Sequence, residues 1–111
     1  MSGSYSTLLK STNDLDAAGS SAETDTELVA AVAGQQIRVA WIFYMTDTAC
    51  VVTFETGTSG TKYLLTPPAS GGADVLALPG IFLFECTSGE SLTYTTSVAG
   101  KHQVTVAYTQ G

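Results

Sequence analysis

The chain has 111 residues, with 4 basic and 10 acidic side chains and a net charge of −6 at pH 7. This length predicts one domain with one hydrophobic core. The excess of acidic groups argues against phosphate-bearing partners, so we expect no binding to nucleic acid and none to an anionic membrane surface. The hydrophobic fraction of 44% is too high for a disordered chain.

Hydroxyl side chains take the place of charges on this chain. Charged residues make up 13% of it, whereas 11 Ser and 17 Thr account for a quarter of the sequence. The first ten residues, MSGSYSTLLK, have no basic stretch followed by an apolar one. We therefore expect a protein that is made and used without export through a membrane. Without such export, Cys50 and Cys86 are expected to be reduced core residues.

The first part of the chain differs in composition from the rest. Residues 1–27 contain one basic and five acidic groups, ten Ser or Thr and few large apolar side chains. No alternating pattern continues for long there. We predict an extended N-terminal arm over residues 1–22, followed by a β-sandwich domain over residues 23–111.

From Thr24 onward, short apolar and alternating runs are separated by Gly, Pro and Ser turns, and no window has a helical stripe. This pattern predicts an all-β fold, an antiparallel β-sandwich of about eight strands and of jelly-roll type. The predicted strands cover residues 27–33, 36–46, 50–56, 61–66, 73–78, 81–86, 91–97 and 103–109.

The strongest of these strands is QIRVAWIFYMT, residues 36–46. Side chains alternate between the two faces of a strand. Strict alternation places one set on one face: Ile37, Val39, Trp41, Phe43 and Met45. It places the other set on the opposite face: Arg38, Ala40, Ile42, Tyr44 and Thr46.

The groups needed for catalysis are sparse. The single histidine, His102, stands in AGKHQ, which reads as a solvated loop. The GTSG turn at 57–60 does not fit the G-x-S-x-G nucleophile elbow, and no Gly-rich stretch ends as a phosphate loop does. The cysteines are single residues on different strands, without the spacing of a metal site. We therefore predict no enzymatic activity, no cofactor and no metal.

Apolar residues instead occupy both faces of the runs at 39–45 and 81–86. A single core absorbs one face of a strand, and the other face is then available to a partner. Together with the apolar residues of the arm, this predicts eight partner-contact residues: Tyr5, Leu8, Leu9, Leu15, Ile42, Tyr44, Phe82 and Phe84.

Two stretches of the sequence together resemble a known family of proteins. ELVAAVAGQQIRVAWIFYMTDTACVVTFETGTSGT combines an apolar strand, an Ala-Gly turn, an Ile-Arg-Val opening and a Val-Thr-Phe strand. GESLTYTTSVAGKHQVTVAYTQ adds a hydroxyl-rich strand and a final V-x-V-x-Y strand. Together they resemble the small capsid decoration (cement or staple) proteins of tailed phages, in particular those of epsilon-fifteen-like podoviruses.

The resemblance implies a homodimer on the outer surface of an icosahedral head, synthesised in the host cytoplasm. Its partner would be the major capsid protein, and the family brings no catalytic residues. Two other interpretations of the sequence stay open. One is a tail or vertex β-sandwich for assembly or host attachment, and the other is a sandwich that binds a small molecule or a carbohydrate.

Overall fold

The computed structural model describes residues 8–14, 22, 24–58, 60–68, 70–78, 80–99 and 101–111, with the backbone alone for 8–14. This part of the chain is all β and contains nine strands. In chain order they are β1 (Leu8–Asp14), β2 (Thr26–Val29), β3 (Ile37–Thr46), β4 (Val52–Thr56), β5 (Gly60–Leu65), β6 (Gly71–Leu76), β7 (Phe84–Glu85), β8 (Leu92–Thr96) and β9 (His102–Gln110).

The strands form two antiparallel sheets. The first sheet has the order β1-β9-β3-β6, with β7 pairing β3 beyond the end of β6, and the second has the order β2-β8-β4-β5. The predicted antiparallel β-sandwich is confirmed. No helix in the described residues is long and apolar enough to cross a membrane.

The core lies between the sheets, and both sheets contribute to it. Ile37, Val39 and Val106 come from the first sheet, and Phe54 and Leu92 come from the second; all five have no exposed surface. β-branched and aromatic side chains dominate this layer, because they pack well on a pleated surface. A buried aliphatic or aromatic side chain stabilises the fold by roughly 1.5–3 kcal/mol.

A β-bulge in β3 changes which side chains face the core. In the β3–β9 ladder, Val39 pairs with Tyr108, and Trp41 pairs with the next residue, Ala107, so Ala40 is an extra residue on the bulged strand. Ile37 and Val39 point inward before the bulge. After it, the buried positions are Ile42, Tyr44 and Thr46. The strict alternation predicted for this strand is therefore wrong beyond Val39.

The bulge lies where the neighbour of β3 changes. Arg38 and Val39 pair with β7, whereas Trp41 to Thr46 pair with β6. Between them, the Ala40 carbonyl accepts a hydrogen bond from the Ala77 amide at 2.8 Å. The chain that joins β6 to β7 leaves the sheet at this point.

Part of the predicted arm belongs to the first sheet. The strand β1 lies at the edge of that sheet and pairs with β9 along its whole length, from Leu8 opposite Tyr108 to Asp14 opposite His102. Residues 1–7 and 15–21 lie outside the described residues. The boundary between an arm at 1–22 and a domain at 23–111 stays a prediction.

Candidate functional site

Four large apolar side chains are exposed within the segment that ends β6 and leads into β7. Leu76 and Leu78 are each 72% exposed, Ile81 is 56% exposed and Phe82 is 37% exposed. The Ile81 amide donates to the Leu78 carbonyl at 3.2 Å, so the segment folds back in a turn. We call these four residues the apolar corner.

The apolar corner continues onto the outer face of the first sheet. Leu76 pairs with Trp41 in the β3–β6 register, so their side chains share a face. The Trp41 ring stacks on Phe43 with centroids 6.1 Å apart, and its Nε1–H donates to Asp74 Oδ1 at 2.5 Å. Clustered exposed apolar surface of this kind is typical of interaction sites, whereas single exposed apolar residues are ordinary.

A polar border lies beside the corner. Arg38 Nε donates to Glu85 Oε2 at 2.8 Å, and Arg38 Nη2 donates to Gln36 Oε1 at 2.8 Å. The pair is partly exposed, so it adds little to stability. An apolar centre with a polar rim is the usual arrangement of a protein–protein contact.

The predicted partner-contact residues lie in different places. Phe82 belongs to the apolar corner. Ile42 and Tyr44 have no exposed surface and Phe84 is 9% exposed, so these three are core residues and offer no surface to a partner. Their prediction as contact residues is corrected here. The structure describes only the backbone of Leu8 and Leu9, in β1, and Tyr5 and Leu15 lie outside the described residues.

The burial of these three residues has a physical cause. The bulge at Ala40 turns Ile42 and Tyr44 inward, and Phe84 pairs with Val39 and stacks on Tyr63, with centroids 5.9 Å apart. Three residues of the apolar corner, Leu76, Leu78 and Ile81, are absent from the contact residues predicted from the sequence. A signal for them exists, because the apolar run around Pro79-Gly80 is longer than one short strand can bury.

His102 is a core residue and not the predicted solvated loop residue. It begins β9, is 1% exposed, and its Nδ1 lies 2.5 Å from the Tyr44 hydroxyl. The same hydroxyl lies 3.4 Å from Cys50 Sγ. Among the described residues, His102 Nε2 has no hydrogen-bond partner. A sequence signal for its burial exists. Val104 and Val106 alternate along β9, and the same alternation continued back by two residues places His102 on the inner face.

The buried hydroxyl of this group is shifted in its acid–base behaviour. Burial, and then the contact with Cys50, raise the pKa of Tyr44 above its ordinary value. The phenol therefore stays protonated, and it has one hydrogen to donate toward either Nδ1 or Sγ. The arrangement acts as a polar link inside the core.

Both cysteines are free and buried, as predicted. Cys86 is 1% exposed, and burial raises the pKa of its thiol to about 11. A thiol is reactive as its thiolate, so Cys86 is an inert packing residue near neutral pH. Within the described part of the chain, no three His, Cys, Asp or Glu side chains come together in a way that could hold a metal ion.

Comparisons of the chain with protein-family models, with curated proteins and with solved structures gave no match.

Proposed function

We propose that this protein is a non-enzymatic structural component of a phage virion. It binds the outer surface of an icosahedral head as a homodimer and staples neighbouring major capsid proteins. The observation that carries the proposal is the apolar corner, because four large apolar side chains in one short segment are poorly accounted for by an isolated monomer.

The strand order supports a jelly-roll connectivity for this protein. The orders β1-β9-β3-β6 and β2-β8-β4-β5 place each of the pairs β1/β2 and β3/β4 across the two sheets. Without the short strand β7, the eight remaining strands are divided into two four-stranded sheets, as in a jelly roll built from Greek keys. The sequence resemblance to decoration proteins leads to the same architecture.

The energetics of the corner suit a cement role. Covering the surface that each of these partly exposed side chains still shows to water contributes up to roughly 1.5–3 kcal/mol before the costs of association, and least for Phe82. A protein that binds the assembled shell better than free subunits stabilises the shell by mass action. Repetition over a lattice raises the effective concentration at neighbouring sites, so each single contact need only be weak.

The low charge also favours contact with protein. A surface rich in Ser and Thr is less costly to desolvate than one rich in ions. The predicted contact residues of the N-terminal arm that lie outside β1, Tyr5 and Leu15, would add to this contact.

A second candidate function is a tail or vertex β-sandwich for assembly or host attachment. It would use the same corner, because the corner fits any large protein partner. Copy number separates the two functions, since a decoration protein occupies the whole head whereas a vertex or tail protein is present in a few copies.

The direct test of the corner is a charge placed at Leu78. Leu78→Glu should weaken binding to purified undecorated heads at least about tenfold, because a carboxylate would be desolvated in the contact. Leu64→Glu is the matched control, since Leu64 is 54% exposed on β5 of the other sheet. Equal binding by the two variants in a head-sedimentation assay would contradict the role of the corner.

A further inference from the structure

A second feature lies at the end of the first sheet where Thr46 pairs with His102, and it continues onto the outer face of that sheet. Two clefts, of about 310 and 340 Å³, lie side by side there and share Met45 and Gly71. We call this feature the sheet-end trough. Both clefts are open to solvent, so a ligand would lie against the sheet and not in an enclosed cavity.

The trough depends on glycine in β6. Gly72 pairs with Met45, and a Cβ on Gly72 would lie 2.1 Å from the Tyr44 carbonyl oxygen. The β3 backbone therefore leaves no room for a side chain at position 72, and only glycine fits there. The sheet face beside Met45 therefore lacks a side chain, and the trough follows from that gap.

One end of the trough is aromatic. Phe43 lines it and is held from behind by the stacked ring of Trp41. Asp74 lies beside Phe43, and the Trp41 indole N–H fixes its Oδ1. A carboxylate has two oxygens that each accept hydrogen bonds, so Asp74 retains acceptor capacity toward a ligand.

The other end is polar. It is lined by Asp47, Lys101 and Gln103, among others. Asp47 Oδ1 accepts from the Lys101 amide and from the Thr48 hydroxyl, each at 2.9 Å. The carboxylate is therefore held in one orientation at the surface.

We propose that the sheet-end trough binds a neutral saccharide. The C–H face of a pyranose packs on an aromatic ring, and planar carboxylate and carboxamide groups pair with neighbouring hydroxyls. The single lysine against two carboxylates in the lining is unsuited to a phosphate or an acidic sugar. A wholly apolar ligand would leave the polar end desolvated without partners.

The trough and the apolar corner share the outer face of the first sheet, where Phe43 of the trough stacks on Trp41 beside the corner, and they extend in opposite directions along β6. Leu76 of the corner pairs with Trp41, whereas Gly71 of the trough pairs with Thr46. A head-bound protein that keeps the trough exposed would present a saccharide-binding face to the outside. Variants at Leu78 and at Gln103 each alter one surface alone, so binding to heads and binding to a saccharide can be measured separately.

The test is an NMR titration of the ¹⁵N-labelled full chain with four neutral oligosaccharides: maltohexaose, cellohexaose, mannohexaose and galactohexaose. At least one should shift amide signals that cluster at Phe43, Met45, Gly72 and Gln103, with a Kd of about 1 mM. Shifts spread over the surface, or no shift at about 10 mM of every sugar, would overturn the proposal.

Two variants link the signal to the trough. Phe43→Ala should weaken the binding at least about tenfold, because it removes the stacking ring. Gln103→Ala changes a half-buried polar side chain with little effect on packing and should also weaken binding. Leu78→Ser, in the apolar corner, should bind as the wild type does. Unchanged affinity in both trough variants would contradict this site.

Discussion

At the scale of single residues, the most informative feature is the polar link in the core. The Tyr44 hydroxyl lies between His102 Nδ1 and Cys50 Sγ, and all three side chains are buried. Buried polar groups are stabilising when paired and costly when left without a partner. The link therefore fixes the relative positions of β3, β9 and the chain before β4.

Tyr44→Phe tests this link. The variant keeps the ring and removes the hydroxyl, so His102 Nδ1 loses its hydrogen-bond partner. We expect the free energy of unfolding to fall by about 1–3 kcal/mol in a urea titration. Tyr63→Phe is the control, because Tyr63 is half-buried on edge strand β5. We expect its cost to stay within about 0.5 kcal/mol. Equal losses in the two variants would contradict the link.

The raised pKa of Cys86 predicts a loss of stability at alkaline pH. Its pKa is raised from 9.0 to about 11 by burial, so the folded state retains a proton that the unfolded state releases. The associated stability is present below pH 9 and is lost as the pH rises toward 11. The free energy of unfolding should fall by up to about 1.4 kcal/mol per pH unit from this one proton.

The measurement compares wild type with Cys86→Ala in urea titrations between about pH 8 and 10. The variant is less stable at neutral pH because it loses a packed thiol. Its stability should nevertheless fall less steeply over that range. Parallel curves for the two proteins would show that Cys86 does not cause the alkaline loss.

The burial of a residue can be predicted from the sequence where it follows from the residue type. It cannot be predicted where it depends on the register in which two strands pair. The reduced, buried state of Cys50 and Cys86 follows from their residue type and their place in strands. The burial of His102 depends on β9 beginning at that residue, and the burial of Ile42 depends on a bulge. Neither position can be fixed without knowing how the strands pair.

At the scale of elements, the bulge in β3 decides which surface the protein presents. Because Ala40 is inserted, Ile42 and Tyr44 fill the core, and Trp41 and Phe43 lie on the outer face. Both the edge of the apolar corner and the aromatic end of the trough depend on this shift. A one-residue change of register exchanges the two faces of a strand.

Deleting Ala40 tests the role of the bulge. Val39 and Trp41 pair with consecutive residues of β9, so the deletion leaves a regular strand with Ile42 and Tyr44 still on the inner face. It removes the carbonyl that accepts from the Ala77 amide. We therefore expect the near-UV circular dichroism of the native aromatics to be retained and the free energy of unfolding to fall by about 1–3 kcal/mol. Deleting Ala31, in the exposed segment before β3, is the control and should cost less. Loss of the native spectrum after deletion of Ala40 would contradict this register.

The elements themselves could be predicted well from sequence, because Gly, Pro and Ser punctuate the alternating runs. Predicted strands at 36–46, 61–66 and 91–97 correspond to β3, β5 and β8. The prediction for residues 81–86 is less accurate, since only Phe84–Glu85 pair as β7. Of that run, Ile81 and Phe82 belong to the corner, whereas Cys86 is buried in the core. An apolar run looks the same in sequence whether a core or a partner covers it.

At the scale of the whole molecule, the protein is a β-sandwich with few charged residues and one exposed apolar segment. The net charge of −6 and the many hydroxyls fit contact with protein better than contact with phosphate. The fold class could be predicted from composition and turn spacing. The partner could not, because interface chemistry is shared by many classes of protein surface.

The most direct test of the proposed virion function is cryo-microscopy of phage particles purified from a host that carries the gene for this chain, combined with counting of its copies by quantitative mass spectrometry. We predict hundreds of copies on the outer face of the head, with the segment from Leu76 to Phe82 against the major capsid protein. Absence from the head, or a few copies confined to the tail or a single vertex, would contradict it.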